Sequence, residues 1–186
     1  MPIESDFQSH HEALYNSGIM VLSGSIDTDS VKPVIEWILY ENLVRKRRLK
    51  ELKLVICSDG GDLTAAFSLC DVMLSSAIPI KTIGLGSIAS SSFMIFLCGA
   101  KGKRTLTPNT SIMSHQHTWE TSGKVHELFS TLEESSRSHA RMIALYKKTT
   151  GLSEEKIKQL LLPAHDVYIS AEEALKYNIC DVIADL

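Results

Sequence analysis

Residues 52–74 read LKLVICSDGGDLTAAFSLCDVML, and this stretch decides the fold. Leu52 to Cys57 is an apolar run of strand length. Ser58-Asp59-Gly60-Gly61 breaks it with residues that favour turns. Asp62 is placed to cap a following helix, whose apolar stripe is Leu63, Ala66, Phe67, Cys70, Met73 and Leu74. Pro79 ends that helix, and the pattern starts again. Ile80 to Leu85 reads as a buried strand, Gly86-Ser87-Ile88-Ala89 as a turn, and about Ser90 to Cys98 as a short apolar helix stopped by Gly99. Strands alternating with helices predict an α/β domain built from βαβ units.

Working outward, residues 1–17 are polar and read as an irregular, mobile arm. Ile19-Met20-Val21-Leu22 is a short strand ending at Gly24, and Val31, Val34, Ile35, Ile38 and Leu39 recur at helical spacing. The helix runs out in Arg45-Lys46-Arg47-Arg48-Leu49-Lys50, where cations complement the helix dipole and form a solvated face. Beyond Gly99, strands are expected near Arg104–Leu106 and Ser111–Ser114. Val125, Phe129, Leu132, Ser136, Ala140, Ile143 and Tyr146 then form one stripe on a helix of about six turns. Such a helix is longer than the core needs, so it is expected to project and pack on another subunit. A helix over Ser153–Leu161, a strand over Asp166–Ile169, a helix opened by the capping box Ser170-Ala171-Glu172-Glu173, and Cys180–Ile183 close the chain. No repeat or linker divides it, so an arm (1–17) and a single domain (18–186) are expected, with a projecting segment over about 117–149.

A chain of 186 residues is long enough for one sizeable core. The net charge of −3 gives no general attraction to nucleic acid or acidic membranes. No apolar run has the length of a membrane span. Met1-Pro2-Ile3-Glu4-Ser5-Asp6 lacks the basic start and apolar middle of a signal peptide, so a cytoplasmic location is expected. Cys57, Cys70, Cys98 and Cys180 form no C-x-x-C pair and sit in apolar stretches, which predicts buried free thiols.

Candidate chemistry gathers at the two glycine-containing turns, because a strand-to-helix turn exposes backbone N–H groups that suit an anion or a developing oxyanion. Either turn alone is equally a tight turn needing positive φ. Ser90 stands at a strand–helix junction, in the manner of a nucleophile elbow without the G-x-S-x-G string; taken alone it reads as a helix N-cap. His115 follows the apolar Ile112-Met113 and is either a general base or a satisfied strand-end histidine. His115 and His117 share a face, which with His165 or Asp166 could hold a metal; acid–base chemistry ranks above that. Spacing alone does not select Ser90, His115 and Asp166 from the other combinations.

Read together, these segments resemble the proteolytic subunit of the caseinolytic Clp protease (ClpP), over roughly residues 18–186. The family's S-P-G-G after a strand appears as Ser58-Asp59-Gly60-Gly61. Its G-x-A-A-S-M-G block appears as Gly86-Ser87-Ile88-Ala89-Ser90-Ser91-Ser92. Its A-G-x-K-G-x-R string is matched by Gly99-Ala100-Lys101-Gly102-Lys103-Arg104, its M-x-H-Q-P by Met113-Ser114-His115-Gln116-His117, and its D-x-aromatic-x-S/T-A by Asp166-Val167-Tyr168-Ile169-Ser170-Ala171. Each block is weak alone; five in order are specific.

The resemblance implies a ClpP/crotonase-like spiral of βαβ units with the helix near 125–148 as its handle. It implies a serine endopeptidase with Ser90 as nucleophile, His115 as base and Asp166 as the acid, and an oxyanion hole from the N–H groups of Gly61 and Ser91. It implies two stacked heptameric rings, an AAA+ unfoldase that uses ATP, peptide and unfolded-protein substrates, and no cofactor or metal on this chain. The departures mark a divergent member. Asp59 and His117 replace prolines, Ser91-Ser92 replaces Met–Gly, Ala164-His165 replaces an acid–Arg pair, and Lys53, Val55 and Ser75 stand where unfoldase docking uses aromatic residues. Two readings compete with the active peptidase: a weak or regulatory subunit that joins a host ring, and a related spiral-fold enzyme acting on acyl-CoA thioesters.

Overall fold

The computed structural model describes residues 10–46, 49–119 and 122–185. A helix over residues 10–16 (α1) leads into β1 (Ile19–Ile26), α2 (Thr28–Leu43), β2 (Leu52–Gly61), α3 (Leu63–Ser75), β3 (Ile80–Ala89) and α4 (Ser91–Leu97). β4 (Arg104–Leu106), β5 (Ser111–Ser114), α5 (Val125–Thr150), α6 (Glu154–Leu160), β6 (Val167–Ile169), α7 (Ala171–Lys176) and β7 (Val182–Ile183) follow. The α/β class is as expected, and the sheet is mostly parallel in the order β1-β2-β3-β4-β7. β5 joins β3 in parallel and β6 runs antiparallel to β5.

The sheet forks along β3. Thr82–Gly84 pair with β4, whereas Ser87–Ala89 pair with β5. Register against β2 slips between the two halves: Ile56 faces Gly84, yet Ser58 faces Ile88. Gly86, at φ +61, takes up the surplus residues as a bulge rather than a turn. This corrects the expected ends of β1, β2 and β3. Gly24, Ser58–Gly61 and Gly86–Ala89 all lie inside strands, because neighbouring strands keep their backbones paired past the glycines.

Core side chains come from both layers: Leu54, Ile56, Ile88 and Ile112 from strands, and Trp37, Leu69, Phe93 and Phe96 from helices, each almost fully buried. Each such side chain contributes about 1.5–3 kcal/mol. Arg104, itself buried, donates to both carboxylate oxygens of Asp181 (2.9 and 2.7 Å) and to Thr149 O (3.1 Å), tying the sheet to the root of α5. Burial pushes the Asp181 carboxyl up, but the Arg104 hydrogen bonds outweigh it and hold it below the ordinary value.

Other expectations change. The arm is helical over residues 10–16; residues 1–9 lie outside the described residues. α2 ends at Leu43, before the basic run, and Arg45 turns back onto buried Glu41 at 2.6 Å; Arg47 and Arg48 lie outside the described residues. Cys57 is exposed, because alternation along β2 puts it on the outer face with Lys53, Val55 and Asp59. In α5 the buried positions include Ser138, Met142 and Leu145 as well as the expected Ile143 and Tyr146. Val125, Leu128, Phe129 and Leu132, on its first half, are exposed.

Candidate active site

Ser90 joins β3 to α4 at φ 56, ψ −122, a conformation that non-glycine residues rarely hold. Such strain costs about 1–3 kcal/mol and persists only when the surroundings enforce it. Here Ser90 N donates to Met113 O at 2.9 Å. Ser92 Oγ accepts from Ala89 N at 2.9 Å and lies 2.6 Å from Ser58 O and 2.8 Å from Ala89 O. Ser90 occupies the N-cap position, yet its side chain makes no capping bond. Its Oγ instead lies 2.7 Å from His115 Nε2.

The β5–β6 register explains how the next pair meets. Ile112 faces Ile169, Met113 faces Tyr168, and Ser114 faces Val167. Continuing one step sets His115 opposite Asp166. Their Nδ1 and Oδ1 atoms are 3.5 Å apart, an ion-pair contact longer than a tight hydrogen bond. The Asp166 side chain is 56% exposed, so water shares its charge.

Gly60 and Gly61 pack against the other side of the junction. A Cβ on Gly60 would stand 2.6 Å from Ala89 O and 2.8 Å from Ser90 Cβ; one on Gly61 would stand 2.2 Å from Ile26 O. Only bare backbone fits between β1 and the serine turn. Gly61, Ser90, Ser91 and His115 line one cleft of about 420 Å³. Its farther walls are Leu63, Met94, His117, Trp119, Ser138 and Met142.

The structure thus brings Ser90, His115, Asp166, Gly61 and Ser91 together. His117 lies in the same cleft but turns away from His115's partners: its Nε2 is 3.0 Å from Ser135 Oγ, and its ring packs on Trp119 and His139. Burial, then the neighbouring His139, holds its pKa below the ordinary imidazole value, against an opposing hydrogen bond at Ser135. Among the described residues no cluster of three or more His, Cys, Asp or Glu is arranged to hold a metal ion. His165 and Ala164 are exposed, as is Ser75, while Lys53 and Val55 are partly buried on the outer face of β2. Asp59 accepts from Ser87 Oγ at 2.6 Å. Sequence reasoning passed over Trp119, which packs on His117 in the segment after β5, and Ser138 and Met142, which enter the cleft because α5 packs beside α4. It treated Ser92 only as a departure, and no local pattern reveals its long-range bond to Ser58.

The Clp protease family model matches residues 4–186. The chain is 28% identical over 181 residues to the ATP-dependent Clp protease proteolytic subunit of Pleurastrum terricola, covering 97% of this chain and 90% of that protein. It is 30% identical over 174 residues to the protein of the same name from Oltmannsiellopsis viridis, covering 94% and 87%. No helix among the described residues is long and apolar enough to cross a membrane.

Proposed function

The chain belongs to the Clp protease family, and as a serine peptidase of that type we propose that it cleaves peptide bonds through Ser90, His115 and Asp166. The single observation that carries this reading is the strained Ser90 with its hydroxyl 2.7 Å from His115 Nε2. His115 Nε2 takes the Ser90 proton as Oγ attacks the peptide carbonyl, and the tetrahedral oxyanion is held by the N–H groups of Gly61 and Ser91. Each such donor contributes about 10²–10³ in rate. Collapse breaks the C–N bond, and His115 returns the proton to the leaving amine. Water, deprotonated by the same imidazole, then releases the acyl group. Asp166 keeps Nδ1 protonated and stabilises the imidazolium from the solvent side.

The relatives' names speak of ATP-dependent proteolysis, and this supports an oligomeric subunit that works with an AAA+ unfoldase. On this reading the subunits stack as two heptameric rings with α5 between them, and ATP is consumed by the partner. The substrates are peptides and unfolded protein, met in the cytoplasm.

Labelling with a fluorophosphonate, alongside short-peptide cleavage and mass measurement of the assembly, tests the reading. The wild type should be modified at Ser90. Ser90→Ala should lose both labelling and cleavage while keeping the assembly, and His115→Ala should be equally inactive. Labelling elsewhere, or full cleavage by Ser90→Ala, would refute the assignment. An assembly that forms but is never labelled would favour a regulatory subunit.

A further inference from the structure

Among the described residues, four buried side-chain polar atoms have no hydrogen-bond partner: Trp37 Nε1, Glu41 Oε2, Ser91 Oγ and His117 Nδ1. The last two belong to residues that line the same cleft. Buried polar groups are normally paired, so two orphans on residues of one cleft call for a ligand group. Ser91 is 3% exposed and directly follows Ser90. A serine hydroxyl has three staggered positions, so Oγ can turn toward the cleft without backbone movement. Ser138, also 3% exposed, adds a third polar group: it accepts from Arg141 Nη2 at 2.9 Å, and its own proton has no acceptor among the described residues.

Apolar surface in the cleft comes from Leu63, Met94, Trp119 and Met142, and Thr64 and Thr118 also line it. No Lys or Arg lines it, and burial shifts His117 toward its neutral form. Its one carboxylate is Asp62, which is exposed and already accepts from Ala65 N at 2.6 Å as a helix cap.

We propose that Ser91 and His117 make the cleft selective for an uncharged carboxamide side chain, glutamine foremost, on the residue whose carbonyl Ser90 attacks. The inference rests on the peptidase reading. A glutamine lays its methylenes on Met94 and Met142 and presents a donor and an acceptor together at its tip, which suits a hydroxyl and a neutral imidazole. A methionine of similar length leaves both orphans unpaired. A glutamate adds a charge near Asp62, and the nearest cation, Arg141 behind Ser138, is already paired with Glu134. A lysine ammonium would be desolvated against hydroxyls and an imidazole, with the only carboxylate out in water.

The test uses fluorogenic peptides that differ only at that residue (Gln, Met, Glu or Lys), with kcat/KM measured for the assembled wild type and fluorophosphonate labelling of Ser90 followed in parallel. Gln should exceed Met by at least about tenfold, because sites built to pair a polar group discriminate against analogues that lack it. Glu and Lys should fall below Gln. His117→Phe, which keeps a ring and removes both nitrogens, should bring the Gln-to-Met ratio near unity, and Ser91→Ala should narrow it. If Ser90 is labelled but Met, Glu or Lys equals or exceeds Gln in the wild type, the inference is overturned while the peptidase reading stands. That comparison needs no variant to fold. If Ser90 is not labelled and nothing is cleaved, the peptidase reading falls and takes the inference with it.

Discussion

Replacing Gly60 with alanine separates two kinds of cost, because Gly102 provides a matched control. Both glycines have positive φ, +95 and +82. A Cβ on Gly102 meets nothing within 4 Å, whereas one on Gly60 would press on Ala89 O (2.6 Å), Ser90 Cβ (2.8 Å) and Ser91 N (3.1 Å). Gly102→Ala should therefore cost only the left-handed strain, about 1–2 kcal/mol. Gly60→Ala adds overpacking of about 1–3 kcal/mol, for a total of about 2–5 kcal/mol. In a chain of this size each kcal/mol lowers Tm by about 2–4 °C. Activity should separate the two more sharply, since the atoms displaced in Gly60→Ala carry the nucleophile. A misplacement of about 1 Å costs on the order of 10² in rate. Thermal unfolding at one fixed protein concentration and the rate of fluorophosphonate labelling measure the two quantities. Gly102→Ala should label like the wild type and Gly60→Ala about a hundredfold more slowly. If the two variants matched in both Tm and labelling rate, the close packing of the glycine arm on Ser90 would not govern the site.

Arg104→Ala removes the guanidinium from Thr149 O and from Asp181, which keeps only backbone partners such as Arg104 N (2.9 Å), and should cost about 3–5 kcal/mol in urea unfolding at pH 7. Because the Asp181 carboxyl is held low, its contribution is present above about pH 3.9 and lost as pH falls through the lower folded value, so the gap between wild type and variant should narrow there. His117 shifts in the same direction, but through burial rather than a charged partner. Its folded pKa is lowered, so the unfolded chain binds more protons below about pH 6.5, and stability should fall on acidification through that window. His117→Phe should flatten this slope, as read by unfolding at a series of pH values from 7.5 to 5; an unchanged slope would show that His117 is not its source. Lys53, Val55 and Ser75 offer little apolar area for docking, so a standard bacterial unfoldase with ATP should degrade a folded, tagged substrate poorly, and robust degradation would show that docking uses other residues.

The alternation of βα units was legible because each unit carries its own signals: Asp62 caps α3 and Ser170 opens α7 with the capping box that its spacing implies. What misled was glycine. Gly24, Gly60 and Gly86 read locally as strand stops, but pairing from distant strands carries the backbone through them, and distant pairing leaves no local mark. Cys57 was misplaced for the same reason, since an early strand end hides the alternation that turns it outward. The candidate site divides likewise. Ser90, His115, Asp166, Gly61 and Ser91 came from the order of five blocks, not from spacing. The cleft wall was invisible, because Ser138 and Met142 reach it through the packing of α5 on α4 and Trp119 through its contact with His117.

The antiparallel pairing of β5 with β6 also bears on synthesis at the ribosome. Glycine arm, serine and histidine are all translated within residues 60–115, yet the strand that steadies the histidine's segment, and the carboxylate beside it, come only at Asp166–Ile169. A growing chain that has exposed Ser90 and His115 therefore lacks both the edge partner of β5 and the charge beside the imidazole for another fifty or so residues of translation, some seconds at about 5–20 residues per second. The order of its own residues therefore delays completion of the Ser90–His115–Asp166 arrangement until nearly the whole sheet has emerged.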